Sequence, residues 1–583
     1  MKNLVKAGSA LTLAALMTAC ASHSDRMQDA TTLMKYSEYE AAQELAEAAM
    51  SGERNRLLRL MEVGVLKHLQ GDYRASNALL DEADFLADEL FTTSLSDMLT
   101  RLGSNATMVT YRGTIYERVY IHYYKTLNYL YLAEEAQNRE EFLRFMDSAR
   151  IEGRRAQILL DENLVKKGSY EEAESEREKL LTRMLDLFAA INGEVINPRE
   201  LTFRDNAFTH YMIGTLYERY GELDNARVSY ERAANTYEQG YASQYHLSPG
   251  MARQAWFDTA RILRIQRDNR WQRIANEKLK RAEIQKLRDW DPSRHAQLLV
   301  IKEVDMMNPR GELNLWMRLN TDNNQIIIQP MLTGDKDQQA YQLAWFHYLY
   351  ADKGLLRVVE RIRADDYVGL LEDSHQKTIS VGPLRETLDS IGLTEVLAST
   401  GVRLTVPLFY YYEPAIKRST LELGGGQEVN LMNADNLAGL AMAQHLVDAQ
   451  SELNYAMAIE SLRLTLCVQA GMPAPLCALT AAGTASADTR LWVTLPNSIR
   501  ITRHILEPGD YEMTLKSDAG SFVVTEEKNL TLQAGELAIW RARHFAEDPN
   551  AEIPAIVKEA RAARLANEAL VKHEEELEEA FSE

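Results

Sequence analysis

Apolar and polar positions follow two different periods along this chain, and the change falls near Pro292. Between Ala30 and about Pro292, apolar residues recur every three or four positions in text rich in Ala, Leu, Glu and Arg. That spacing predicts a nearly continuous series of helices. Within it, residues 128–149 read as a helical hairpin and residues 91–115 as irregular. Beyond Asp291-Pro292 the period shortens, and residues 297–301, 312–316 and 325–328 read as strands. Asn308-Pro309-Arg310-Gly311 and Asn320-Thr321-Asp322-Asn323-Asn324 form the turns between them. Helices follow at 338–352 and 384–400, then a buried strand over 402–411 and a hairpin over 420–431 turning at Gly424-Gly425-Gly426. Two further helices cover 434–468. Alternation returns from 489 to 543, in 492–495, 499–501, 511–515 and 537–540, with Pro508-Gly509-Asp510 as a turn. Residues 552–583 read as one acidic helix.

A repeat is visible inside the helical half. His210-x-x-Ile213-Gly214-x-x-Tyr217, then Gly221, then Ala226-x-x-x-Tyr230-x-x-Ala233, follows the tetratricopeptide (TPR) pattern, with His210 where that pattern has Trp and no closing Pro. Gly214 and Ala226 are small enough to let two antiparallel helices approach, Tyr217 and Tyr230 fill the space beside them, and Gly221 lets the chain turn. A second copy reads Gly64, Gly71-Asp72-Tyr73, Ser76, Leu80 and Ala83; a partial one reads Ser37-Glu38-Tyr39, Ala42, Ala46 and Ala49. Ser37 and Gly71 stand 34 positions apart, the period of the repeat. Gly168-Ser169-Tyr170-Glu171-Glu172-Ala173 is a half-match. Four to six helical hairpins are expected, and stacked hairpins expose a concave surface that binds partner segments. A generic helical bundle is the alternative.

The first residues change the picture of where such a scaffold works. Lys2 and Lys6 precede the apolar run 10–17, which ends at Thr18-Ala19-Cys20. This is the anatomy of a signal peptide, too short to span a bilayer, which takes about 20 apolar residues. Met17-Thr18-Ala19-Cys20 resembles the lipobox of bacterial lipoproteins, with Met17 where Leu is usual. The resemblance implies cleavage before Cys20 and acylation of Cys20, and two or more acyl chains hold a protein on a membrane stably. Ala21, rather than the Asp that retains such proteins in the inner membrane, implies the outer membrane. The formal net charge of −20 argues against nucleic acid as a partner. Cys467 and Cys477 remain, ten positions apart around Gly471-Met472-Pro473-Ala474-Pro475. In an oxidising compartment they either pair or sit apart as two small buried hydrophobes.

Two stretches carry a further resemblance: 116–130, Tyr-Glu-Arg-Val-Tyr-Ile-His-Tyr-Tyr-Lys-Thr-Leu-Asn-Tyr-Leu, and 488–497, Asp-Thr-Arg-Leu-Trp-Val-Thr-Leu-Pro-Asn. They are similar to an uncharacterised family of proteobacterial lipoproteins with tetratricopeptide-like N-terminal halves. That family has no established catalytic residues, and some members sit beside lipoproteins that activate peptidoglycan synthases. The resemblance therefore implies an envelope accessory protein.

Searching for chemistry adds little. The histidines form no His-Glu-x-x-His and no ligand cluster, so no metal or cofactor is expected. Gly424-Gly425-Gly426 lacks the following Lys-Ser/Thr of a phosphate loop, no Gly-x-Ser-x-Gly is present, and neither late cysteine stands in a nucleophile signature. One basic run, from Arg253 through Arg261, Arg264, Lys286 and Arg288 to Arg294, opposes the acidic trend; it reads as a solvated helix face or as a surface for anionic groups.

The expected architecture is an α-helical TPR-like repeat array followed by an α+β region with a small C-terminal β-sandwich-like module. Its divisions are a signal peptide (1–19), a tether (20–30), the repeat domain (31–292), an α+β domain (293–486), a β-rich module (487–545) and an acidic helix (546–583). The expected function is that of an outer-membrane lipoprotein, not an enzyme, that scaffolds a cell-envelope complex. A peptidoglycan-acting enzyme and a chaperone-like accessory for a secreted client are the alternatives.

Overall fold

The computed structural model describes residues 22–90, 110–162, 203, 205–350, 375–382, 385–390, 393–412, 414–424 and 426–582. Cys20 and the half-match at 168–173 lie outside them.

The first helix, α1 (His23–Lys35), begins inside the stretch expected as a tether, because Ser22 and Asp25 form a capping box that satisfies the orphan N–H groups of its first turn. Helices α2 (Tyr39–Ala49), α3 (Arg56–Leu69), α4 (Tyr73–Leu90), α5 (Ile115–Glu134), α6 (Arg139–Glu162), α7 (Ala207–Tyr220), α8 (Leu223–Thr236), α9 (Gly250–Ile265) and α10 (Arg270–Lys278) follow as antiparallel pairs. Four pairs share one turn. Ser37, Gly71, Gly221 and Arg267 each take a left-handed backbone (φ 62°, 82°, 92° and 58°). The residue after each donates its N–H to the carbonyl five positions back: Glu38 to Leu33, Asp72 to Lys67, Glu222 to Tyr217 and Asp268 to Leu263, at 2.8–3.0 Å. This Schellman closure reverses the chain in two to four residues. Gly71 and Gly221 supply that backbone at no steric cost, whereas Ser37 and Arg267 adopt it against their own preference.

After α11 (Arg281–Asp289) the chain enters three four-stranded sheets. The first runs β12 (Leu537–His544), β1 (Ala296–Val304), β9 (Ser498–Leu506), β8 (Met432–Asn436), with β1 and β12 parallel. The second runs β11 (Val523–Leu532), β10 (Gly509–Asp518), β6 (Arg418–Leu423), β7 (Gln427–Asn430). The third runs β4 (Lys377–Ser380), β3 (Gln325–Pro330), β2 (Arg310–Asn320), β5 (Val402–Phe409).

Every residue of β1 is buried, because both faces of its sheet are covered. Leu299 and Ile301 join the core of the helical stack, together with Ile499, Ile501 and Ile539. Leu298 and Val300 turn the other way onto Leu421, Met513 and Leu515 of the second sheet. The third sheet builds a separate core with α12 (Lys336–Leu349), α13 (Arg385–Ser390), α14 (Leu393–Ser399), α15 (Leu437–Gln469) and α16 (Ala474–Thr484).

This topology corrects several expectations. Residues 487–545 close no sheet alone: β9 and β12 need β1 between them, and β10 needs β6. A sequence-local reading cannot see such pairings. Residues 434–468 hold one long helix, α15, preceded by β8, where two helices were expected. Residues 492–495, expected as a strand, pair with none. Part of the basic run is not a solvated face, since Arg261 has no exposed surface. Its Nε donates to Asp258 (3.1 Å) and its guanidinium to Glu218 (2.5 Å). Arg264 caps carbonyls at the end of α11, among them that of Arg288 (3.0 Å). The last helix, α17 (Ala555–Ser582), buries Val557 and places Arg561 and Arg564 on Glu38 at 3.0 and 2.9 Å.

Candidate functional site

The two stretches singled out in the sequence meet in space. The main chain of 492–494 crosses the helical stack, and its donors end on carboxylates instead of a neighbouring strand. Glu62 on α3 accepts the N–H groups of Val493 (2.7 Å) and Thr494 (2.9 Å); Glu117 on α5 accepts that of Trp492 (3.3 Å) and the Tyr111 hydroxyl (2.7 Å). Burial pushes the Glu62 carboxyl up to about 7 despite these bonds. Trp492 is fully buried, its ring centre 6.2 Å from that of Tyr124. This is why the segment reads as a strand without pairing as one: it is buried throughout, and Trp492 and Leu495 both join the core of the helical stack.

Beyond this crossing, three loops meet α1 around a groove of about 440 Å³. Asp305, at the end of β1, holds a left-handed backbone (φ 51°) because its carboxylate takes the Ala546 N–H at 2.7 Å and its own N–H reaches the His544 carbonyl at 2.9 Å. Burial raises its pKa. Met306 and Met307 follow on the groove wall, with Met27 and Lys35 of α1 opposite and Tyr412 and Pro414 at the third side. Asn308 is the fastener. Its amide donates to the carbonyls of Tyr410 (2.9 Å) and Tyr412 (3.0 Å), and its oxygen accepts from Asn497.

The aromatic edge of this groove is built rigidly. The rings of Tyr410 and Tyr412 lie parallel within 2° at 6.2 Å, and Tyr341 stacks on Tyr410 at 5.5 Å. The Tyr341 hydroxyl donates to the Phe409 carbonyl (2.9 Å) and accepts the Tyr411 N–H (2.8 Å). Gly311 makes room for the stack: a Cβ there would stand 2.5 Å from a ring carbon of Tyr410. Tyr412, at the end, remains 57% exposed. Methionine, tyrosine and proline walls with a Lys35 and Asp305 rim suit the burial of an apolar segment held by a few polar contacts.

One cluster has the composition of a nucleophilic centre. Ser517 Oγ lies 2.6 Å from His544 Nδ1, His544 Nε2 lies 2.9 Å from Glu526, and Lys302 donates to both Ser517 and Ser419. Burial, with Arg500 beside it, holds the Lys302 amine down to about 7. Yet Ser517 and Lys302 have no exposed surface, being sealed between the first two sheets. A nucleophile needs a reacting atom about 3 Å away, and no substrate carbonyl can come there. The cluster satisfies buried polar groups.

Two of the small residues singled out in the helical half lie against the next helix of their hairpin. Gly64 faces Leu80, and Gly214 faces Tyr230, where an added Cβ would stand 2.7 and 2.8 Å away respectively. Ala83, Ala226 and Ala233 are fully buried, Tyr217 nearly so, and Tyr73 stacks on Tyr131 at 4.4 Å. Cys467 and Cys477 are joined in a disulfide, their Cα atoms 5.7 Å apart. None of these residues lines the groove. Its own residues went unnoticed: Asn308 read only as a turn, although the consecutive Tyr410-Tyr411-Tyr412 was a legible signal. Among the described residues no group of His, Cys, Asp and Glu could hold a metal ion, and no helix is long and apolar enough to cross a membrane.

No protein-family model matches the chain, and no curated protein matches it. The crystal structure of BtubC (BKLC) from P. vanneervenii is similar over 47% of this chain and 95% of that one, at 15% identity and a TM-score of 0.17. A likeness that slight transfers neither fold nor function.

Proposed function

We propose that this protein is a lipid-anchored binding scaffold of the bacterial outer membrane, facing the periplasm, and that it is not an enzyme. Acyl chains on Cys20 hold it to the bilayer, two positions before the cap residue Ser22 of α1. Its paired helices are TPR-like hairpins, and the groove beside α1 receives an apolar segment of a cell-envelope protein, of the kind that assists peptidoglycan synthesis. The observation that carries the reading is the groove itself: about 440 Å³, walled by Met27, Met306, Met307 and Tyr412, and adjoining the helix nearest the anchor. A pocket of that volume with methionine and tyrosine walls suits the binding of an apolar segment.

A photo-reactive amino acid placed at Tyr412 or Met306 in living cells tests it. One discrete crosslinked product is expected, lost when Asn308→Ala frees the 410–412 segment and retained when the label-free Cys20→Ser form is expressed beside it. Identical product patterns from Tyr412 and from the distant exposed Phe85 would refute a specific groove. Recovery of Cys20→Ser in the outer membrane as firmly as the wild type would refute the anchor.

A further inference from the structure

The basic run left a question, because only part of it is absorbed by buried ion pairs. A second cavity, of about 190 Å³, lies between the start of α9, helix α11 and strand β9. Arg253, Lys286 and Arg503 reach it from those three elements. From the geometry we infer that this cavity is a binding site for a single phosphate group, free or as a phosphomonoester.

The charges facing the cavity are Arg253, Lys286 and Arg503 against Asp258 and Glu283. Both acids are occupied. Asp258 takes Arg261 (3.1 Å) on one oxygen, and Tyr211 (2.8 Å) and Gln254 (3.0 Å) on the other. Glu283 accepts the Lys280 N–H at 2.7 Å as the cap of α11, with Arg253 Nε 3.7 Å from its second oxygen. The cations are less fully used. Arg503, only 2% exposed in its side chain, spends its two terminal nitrogens on Tyr230 (2.8 Å), Glu218 (2.8 Å) and Gln297 (2.9 Å), with Asp258 3.4 Å away. Its Nε is buried with no hydrogen-bond partner. A buried guanidinium N–H left unbonded is costly, so an acceptor is expected there. Lys286 forms no ion pair among the described residues. His504, which also lines the cavity, is neutral at physiological pH, since burial and Lys286 draw its pKa down to about 4.

The helix start adds to this field. Gly250 opens α9 on the cavity wall, and the positive end of a helix dipole favours an anion in its first turn. A Cβ at Gly250 would meet Met432 Sδ at 2.7 Å, so the bare glycine makes room for Met432, and an Arg253 terminal nitrogen lies 3.8 Å from the same point. Donors arriving from three sides match a tetrahedral oxyanion better than a planar carboxylate, which one guanidinium fork holds edge-on. At about 190 Å³ the cavity has room for one phosphate group.

Inorganic phosphate, sn-glycerol 1-phosphate and acetate would be titrated into the full chain at constant ionic strength, with calorimetry and thermal unfolding as readouts. Saturable binding of phosphate or glycerol phosphate is expected, at least tenfold tighter than acetate. Lys286→Gln and Arg253→Gln, which leave the Glu218–Arg261–Arg503 network intact, should each weaken it by tenfold or more. Tighter binding of glycerol phosphate would indicate a phosphomonoester as the source, and equal binding free phosphate. Phosphate acting no differently from chloride, acetate binding as well as phosphate, or unchanged affinity in both variants with wild-type unfolding curves, would overturn the site.

Discussion

Gly214→Ala tests how the helical half is coupled to the sheets. Gly214 on α7 faces the ring of Tyr230 on α8, and an added Cβ would stand 2.8, 2.9 and 3.1 Å from three ring carbons. Ordinary contact begins near 3.4 Å, so the ring would have to retreat by roughly half an ångström or more. It has nowhere to go. Tyr230 is fully buried, its hydroxyl donates to Glu218 at 2.7 Å, and Arg503 of β9 donates to it at 2.8 Å. Overpacking typically costs about 1–3 kcal/mol. Loosening a hydrogen bond to a charged group adds about 1.5–3 kcal/mol. Replacing a mid-helix glycine by alanine returns about 1 kcal/mol. The balance is a loss of about 1.5–5 kcal/mol, read as a lower urea midpoint at unchanged slope. Gly64→Ala should cost less, because the atoms it meets belong to Leu80, which no side-chain hydrogen bond holds in place. Tyr230→Phe removes the anchoring hydroxyl, so the Gly214→Ala penalty should shrink by at least about 1 kcal/mol in that background. A Gly214→Ala protein as stable as the wild type would refute the close approach, and an undiminished penalty beside Tyr230→Phe would refute the anchoring.

Three further outcomes follow from buried groups and the disulfide. Glu460, raised to about 7 by burial, favours its proton in the folded state; the stability it contributes is full below about 4.5 and is lost as pH climbs through 7. Glu460→Gln should therefore match the wild type near pH 4 and exceed it by on the order of 2 kcal/mol at pH 8 in urea unfolding. Equal curves at both pH values would contradict it. Lys302, held down to about 7, favours the neutral amine when folded, so its ammonium form destabilises the protein below pH 7 and the burden lifts as pH rises. Lys302→Met should raise the melting temperature most at pH 6 and least at pH 10, and the opposite order would exclude the assignment. Replacing Cys467 and Cys477 by serine opens a loop of about ten residues, for a loss of about 2–3 kcal/mol in chemical unfolding; a change below 0.5 kcal/mol would mean that the bridge constrains little.

Helix periods, turn glycines and the small-residue positions of the hairpins were legible in the chain because each depends on residues within a few positions of one another. Gly71 and Gly221 take a backbone that glycine alone enters freely, and Gly64 and Gly214 pack against residues only 16 positions further on. Most strands were legible for the same reason, though not β4, β8 or β11; in β11 Glu526 and Lys528 interrupt the apolar face between Val524 and Leu530. Which strands pair was not legible. β1 joins β9 and β12 from some 200 positions away, and the apparent C-terminal module dissolves into sheets shared along half the chain. The same holds for chemistry. The Trp492–Leu495 segment reads as a strand because it is buried throughout, and only the presence of Glu62 and Glu117 across the stack decides otherwise. Arg261 reads as surface charge until Glu218 and Asp258 surround it. The groove and the phosphate-sized cavity are likewise properties of distance between elements, set by how the helical stack and the sheets share one core, and a linear pattern carries no record of that distance.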